Sequence, residues 1–135
     1  MPETIAIDFD GVLTDGKHFI DHDGKKFYSV HSRDNSSLQE LVDMGYRVVI
    51  ITANSDETIK RYCERRKVEY IYSREKDIEA THVIGDSTFD LRMLVRAKHK
   101  YCPSDADEMI KKIPGMIVLP CKGGHGVIEH LISKL

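Results

Sequence analysis

The sequence predicts an α/β fold: a Rossmann-like, mainly parallel sheet with helices on both faces, and a β-hairpin inserted after the first strand. Three observations carry this expectation. Short apolar, β-branched runs alternate with stretches of helical period along the whole chain. One run, RVVIIT at 47–52, is apolar from its second residue to its fifth, as strands are when helices cover both sheet faces. The chain has 135 residues, 41% of them apolar and 31% charged, which suits one globular domain spanning 1–135.

The elements follow in order. TIAIDF (4–9) reads as a buried strand that ends in Asp-Gly. Residues 17–30 contain two strand-like pieces around Asp23-Gly24, a pair that tolerates positive φ, so a hairpin is expected there. Asn35 or Ser36 can cap a helix carrying Leu38, Leu41 and Val42 on one face, with Gly45 as its stop. After the 47–52 strand, Ser55 can cap a helix with Ile59, Tyr62 and Cys63 on its inner face, ending in the solvated run Arg65-Arg66-Lys67. VEYIY (68–72) is the next strand, and 74–80 allow two helical turns at most. HVIGD (82–86) is a strand, STFDLRMLVRA a helix and KHKYC a short strand. DADEMIKKI reads as helix, MIVLP as strand, and 126–134 as a last helix with Val127, Ile128, Leu131 and Ile132 on one stripe.

Composition excludes several function classes. A net charge of −2 gives no support to nucleic-acid or acidic-membrane binding. No apolar run approaches the about 20 residues that a membrane span needs. The first residues lack a charged region followed by a long apolar one, so no signal peptide is expected. The three cysteines, Cys63, Cys102 and Cys121, form no CxxC pair and suit free thiols in a reducing cytoplasm.

Ligands bind beyond the carboxyl ends of the strands in an open parallel sheet. Those ends carry Asp8-Phe9-Asp10, Thr52-Ala53-Asn54 and Asp86-Ser87, with Asp90 close behind. Asp8 and Asp10 lie two apart, which puts both on one side of a regular strand. Crowded carboxylates repel unless a cation sits between them. With Asp86 they form a hard oxygen set suited to Mg²⁺.

These residues resemble the haloacid dehalogenase superfamily of aspartate-nucleophile phosphatases. Asp8-Phe9-Asp10-Gly11-Val12-Leu13-Thr14 matches the family's DxDGxxT motif, Thr52 its second-strand hydroxyl, and Gly85-Asp86-Ser87-Thr88-Phe89-Asp90 its GDxxxD motif. A narrower resemblance covers nearly the whole chain. DGVLTDGK, the hairpin, HSRDNSSLQELVDMGYRVVIIT and GGHGVIEHL are similar to the capless group acting on 3-deoxy-D-manno-octulosonate 8-phosphate or related nine-carbon sugar 9-phosphates. Two departures stand out: Thr52-Ala53-Asn54 replaces the group's Thr-Gly-Arg, and the segment before Gly85 is short.

The resemblance implies a Mg²⁺-dependent phosphomonoesterase. Asp8 is then the nucleophile, and Asp10 the general acid and base. The metal is held by Asp8, the Asp10 carbonyl and Asp86. Thr52, Ala53 and Asn54 hold phosphoryl oxygens, Lys76 balances charge beside Asp8, Asp90 orients a metal-bound water or Lys76 rather than binding the metal directly, and Gly11 lets the chain turn close to the phosphate. Arg33, Gly123, Gly124 and His125 become substrate contacts. Bland readings stand beside these. Lys76 can be an exposed helix lysine, Thr52 a plain strand end, Asp90 a helix cap, and Arg33 and His125 surface residues.

In the resembled group the hairpins pair in a homotetramer and the glycine-rich tail approaches a neighbouring site. Phe19, Ile20, Phe27 and Tyr28 fit such a subunit contact, or else they pack on the parent domain. Two other functions compete with a small-molecule sugar-phosphate phosphatase. One is action on nucleotide or polynucleotide phosphate ends; the other is a non-catalytic binding or assembly module, against which the paired Asp8 and Asp10 argue.

Overall fold

A computed structural model describes residues 2–135. Strand β1 (Thr4–Asp8) runs into a wide turn over Phe9–Leu13. The hairpin strands β2 (Phe19–Ile20) and β3 (Lys26–Phe27) come next, then α1 (Ser32–Asp43), β4 (Arg47–Thr52), α2 (Glu57–Arg66) and β5 (Glu69–Tyr72). The second half adds β6 (His82–Ile84), α3 (Leu91–Arg96), β7 (His99–Cys102), α4 (Glu108–Lys111), β8 (Met116–Val118) and α5 (Val127–Ile132).

Six strands form one sheet in the order β5-β4-β1-β6-β7-β8, every neighbouring pair parallel. The expected α/β architecture is therefore present. The chain builds outward from β1 to β4 and β5, then returns to β6 on the other side of β1. That reversal opens a crevice at the carboxyl ends of β1, β4 and β6.

Strand alternation sorts the core into two layers. Ile5, Ile7, Val48 and Ile50 pack with Leu38 and Leu41 of α1, Ile59 and Cys63 of α2, and Val127, Ile128 and Leu131 of α5. Ala6, Ile51 and Val83 face the opposite way, against Met93 and Leu94 of α3 and Ile110 of α4. Each fully buried Leu or Ile here contributes roughly 1.5–3 kcal/mol. Asp34 ties two helices on the first face. Its Oδ1 accepts from the backbone N–H of Ile128 at 3.1 Å and of Glu129 at 3.2 Å, capping α5 from within α1. Among the described residues, no helix is long and apolar enough to cross a membrane.

Several local expectations shift. Helix α1 starts at Ser32, capped by His31, whose Nδ1 accepts from Arg33 N–H at 3.1 Å. Asn35 and Ser36 lie inside the helix, because Asp34 must occupy its first turn to reach α5. The cap of α2 is Asp56, not Ser55; Asp56 Oδ1 accepts from Thr58 N–H at 3.0 Å. No helix forms over 74–80: a turn at 74–75 leads into irregular chain. Lys76 has left-handed backbone at φ 47°, which no helix accommodates. The 17–30 hairpin is present but short, with only Phe19↔Phe27 and Ile20↔Lys26 paired.

Candidate active site

The crevice holds a cavity of about 430 Å³. It brings together Asp8, Asp10, Thr52, Ala53, Asn54, Lys76 and Asp86, all singled out in the sequence. It also recruits Gly16, Ser87 and Phe89, which the motif reading did not assign. Ser87 and Phe89 fall inside the GDxxxD stretch, so their place in that motif was the available signal. Phe89 lies at the mouth with 74% of its surface exposed.

Asp8 ends β1 and is 1% exposed. The strand stops there, so side-chain parity does not bring Asp10 to the same side, as a regular strand would require. The turn does so instead. It closes with Thr14 N–H donating to Phe9 O at 3.1 Å, while Asp10 keeps extended backbone and Gly11 takes φ 87°. Thr14, fully buried, pins the loop. Its Oγ1 accepts from Gly11 N–H at 3.3 Å and Gly16 N–H at 3.1 Å. Glycine is required at position 11 twice over, by the positive φ and because a Cβ there would overlap the Asp86 carboxylate.

Lys76 comes to the site from the irregular segment after β5. Ser73 N–H donates to Thr52 O at 2.9 Å, and Lys76 N–H donates to Ser73 O at 3.3 Å. This stitches the lysine's turn to the end of β4. Its ammonium then donates to Asp8 Oδ1 at 2.5 Å and to Asp90 Oδ1 at 3.1 Å. The side chain is buried, so the exposed-helix reading of Lys76 does not apply. Burial alone would lower the Lys76 pKa, but the charges of Asp8 and Asp90 outweigh it and raise it. A left-handed non-glycine residue costs about 1–2 kcal/mol, and this ion-paired arrangement holds it there.

Asp90 orients the constellation. Its Oδ2 accepts from Asp86 N–H at 2.9 Å and Ser87 N–H at 3.2 Å, while Oδ1 takes Lys76. It thus caps a turn and also holds the lysine. Thr52 Oγ1 accepts from Asn54 N–H at 3.0 Å, leaving the hydroxyl proton free to donate into the cavity.

The donor set fits a divalent cation. Asp8, Asp86 and Asp90 each offer an oxygen within 4.8 Å of one another. Among the described residues, Asp8 Oδ2 is buried and finds no hydrogen-bond partner. Burial, and then the charge of Asp90, push the Asp8 carboxyl well above the usual carboxylate range, against the pull of Lys76. Burial likewise raises Asp86. Lys76 answers only one side of this crowded group, so an added positive charge would relieve the rest. With Asp90 occupied by three donors, Asp8 and Asp86 are the carboxylates with capacity left.

Other expected contacts lie outside the cavity lining. Gly11 sits behind it, against Asp86. Arg33 is exposed and paired with Glu129 at 3.1 Å. Gly124 N–H donates to Val12 O at 2.9 Å, and a Cβ on Gly123 would overlap the Gly11 carbonyl, so both glycines pack against the loop after β1. His125 is exposed beyond them.

Comparison with known proteins bears out the resemblance. No family model matches the chain. The chain is 25% identical, over 97% of its length and 81% of the relative's, to the 3-deoxy-D-manno-octulosonate 8-phosphate phosphatase KdsC of Haemophilus influenzae. Its fold is that of a protein described as a HAD family hydrolase from Streptomyces avermitilis, with a TM-score of 0.91 at 22% identity, covering 98% of this chain and 83% of that one. The Moraxella catarrhalis 3-deoxy-D-manno-octulosonate 8-phosphate phosphatase, solved with magnesium, phosphate and KDO, superposes with a TM-score of 0.89. The identity there is 21%, over 98% of this chain and 84% of that one.

Proposed function

We propose that this chain is a Mg²⁺-dependent phosphomonoesterase that hydrolyses a keto-sugar phosphate through an aspartyl-phosphate on Asp8. The observation that carries the reading is the Asp8 carboxylate itself: buried, held at Oδ1 by Lys76, and without a protein partner at Oδ2. Similarity to the Haemophilus relative supports the sugar-phosphate class.

The residues divide the work. The Asp8 carboxylate attacks phosphorus, forming the acyl-phosphate bond as the ester P–O bond breaks. Asp10 gives its proton to the departing sugar oxygen. Asp10 then takes a proton from water, which attacks phosphorus and releases phosphate and free Asp8. The Thr52 hydroxyl and the neighbouring N–H groups hold the transferring oxygens, and Lys76 offsets the anionic charge gathered at Asp8. Asp8, the Asp10 carbonyl and Asp86 would hold Mg²⁺, which supplies charge neutralisation for an anionic nucleophile meeting an anionic ester. Asp90 keeps Lys76 and the Asp86 loop in register.

A second reading keeps this chemistry and changes the leaving group to a nucleoside. The exposed Phe89 ring at the mouth favours it, since a flat aromatic face can stack on a base. We also assign the chain to a reducing cytoplasm, supported by three free cysteines, and to a homotetramer, supported by the exposed Phe19, Ile20 and Phe27. Tyr28 leaves the tetramer argument because it is partly buried against its own domain.

Phosphate release from a panel of sugar and nucleoside monophosphates, with Mg²⁺ and with chelator, tests the proposal. Metal-dependent release from keto-sugar phosphates is expected, and Asp8→Asn should remove at least about a thousandfold of it while the fold persists. Preference for nucleotides moves the assignment to the second reading. Absence of turnover on every ester ends both.

A further inference from the structure

We infer that Tyr28, on the outgoing side of the hairpin, is a positioning residue for the phosphate pocket, acting through Asn54 on the loop that carries Thr52. Four hydrogen bonds place it so. The Tyr28 hydroxyl donates to Asp56 Oδ2 at 2.8 Å. It accepts from Asn54 Nδ2 at 3.0 Å. Asn54 Oδ1 accepts from Asp56 N–H at 3.1 Å, and Asn54 N–H donates to Thr52 Oγ1 at 3.0 Å. Every polar atom of the Asn54 side chain is therefore committed to this network. Its amide orientation is fixed, and with it the turn from the strand end into α2.

The arrangement gives a physical meaning to Asn54, where the resembled group has arginine. An arginine has no side-chain acceptor, so it could not take the Asp56 N–H while donating to Tyr28. Asparagine does both. Tyr28 is held on its other side as well. Its ring meets Phe9 edge-on at a centroid distance of 5.4 Å, and Phe9 lies between the two pocket aspartates in sequence. One ring thus braces two of the segments that line the pocket, the 8–16 loop through Phe9 and the 52–54 loop through Asn54. Burial, and then Asp56, raise the Tyr28 phenol to about 12, so it stays a protonated donor at any working pH. The short hairpin thereby acts on the pocket, whatever its tip contacts.

This inference rests on the phosphatase reading for its activity test, and phosphate binding provides an independent one. Tyr28→Phe keeps the ring on Phe9 and removes only the hydroxyl. One net hydrogen bond is worth about fivefold, so kcat/KM should fall about five- to tenfold, with kcat sharing the loss. Asn54→Ala should cost at least as much, and the double variant no more than Asn54→Ala alone, because both act through one network. The affinity for inorganic phosphate in Mg²⁺, measured by calorimetry, should weaken in parallel. The pH profile should keep its shape. Two results overturn the inference: a Tyr28→Phe protein with a lower Tm but unchanged kcat/KM and phosphate affinity, or losses that multiply in the double variant. If the wild-type protein hydrolyses no ester, the phosphatase reading fails by itself, and phosphate affinity across the same variants decides the positioning role.

Discussion

Replacing Lys76 with methionine removes the cation that bridges two buried carboxylates. Its ammonium lies 2.5 Å from Asp8 Oδ1 and 3.1 Å from Asp90 Oδ1. Methionine approximates its length and apolar stem but leaves both acids unpaired. Breaking a buried pair in this way costs about 3–5 kcal/mol. In a domain of this size each kcal/mol is worth about 3–5 °C, so Tm should drop by about 10–25 °C at neutral pH. The loss should depend on pH with a definite sign. Asp8 has a raised pKa in the folded state, so its ionisation withdraws stability as pH rises through that value. Lys76 opposes this in the wild type. Its own folded pKa is raised, so its contribution is complete below the unfolded lysine value of about 10.4 and is lost only in strong alkali. Without it the Asp8 pKa climbs further. The gap between wild type and variant should therefore narrow as pH falls and Asp8 takes up its proton, and be wider at pH 8 than at pH 5. Thermal unfolding followed by circular dichroism at both pH values, in chelator, measures it. Equal stability of the two proteins, or a gap wider at pH 5, would refute the electrostatic reasoning. Phosphatase turnover that survives the change would remove Lys76 from the proposed chemistry.

Three other outcomes are expected. Mg²⁺ at about a hundred times its dissociation constant should stabilise the protein by about 2.7 kcal/mol, and Asp86→Asn should abolish that shift in a calorimetric scan. Gly11→Ala should lower both stability and Mg²⁺ affinity, since φ 87° is strained for alanine and its Cβ meets the Asp86 carboxylate; unchanged metal binding would contradict the close approach. Phe19→Ser with Phe27→Ser should dissociate the proposed homotetramer into smaller species on mass measurement in solution, whereas a monomeric wild type would show that these exposed rings serve no such contact.

Much of the site was legible because strand ends are legible. Asp8, Thr52 and Asp86 each follow an apolar run, and a parallel sheet delivers such residues to one edge. Helix caps were less readable. Asp34 is a good capping residue by type, yet it caps α5 across 94 positions rather than its own helix. His31 then caps α1, which local propensity does not indicate. The segment 74–80 has helix-forming residues, but the pull of two buried carboxylates on Lys76 outweighs their propensity. Tyr28 reads locally as one more exposed hairpin aromatic. Only its neighbours across the fold, Phe9, Asn54 and Asp56, make it part of the pocket.

The sequence by itself determined the alternation of strand and helix, the acids at the carboxyl edge, and the glycine that lets the chain turn after β1. All of these depend on short-range patterns: hydrophobic period, the spacing of carboxylates, the freedom of a residue without Cβ. Tertiary structure alone decided that Lys76 is buried against Asp8 rather than exposed on a helix, that Arg33 pairs with Glu129 outside the cavity, and that the hairpin reaches the loop after β4 through Tyr28 and Asn54. Those pairings join residues dozens of positions apart. They exist only once the sheet has brought those residues together, and for Lys76 and Asp8 the energy comes from desolvation and charge in a buried setting.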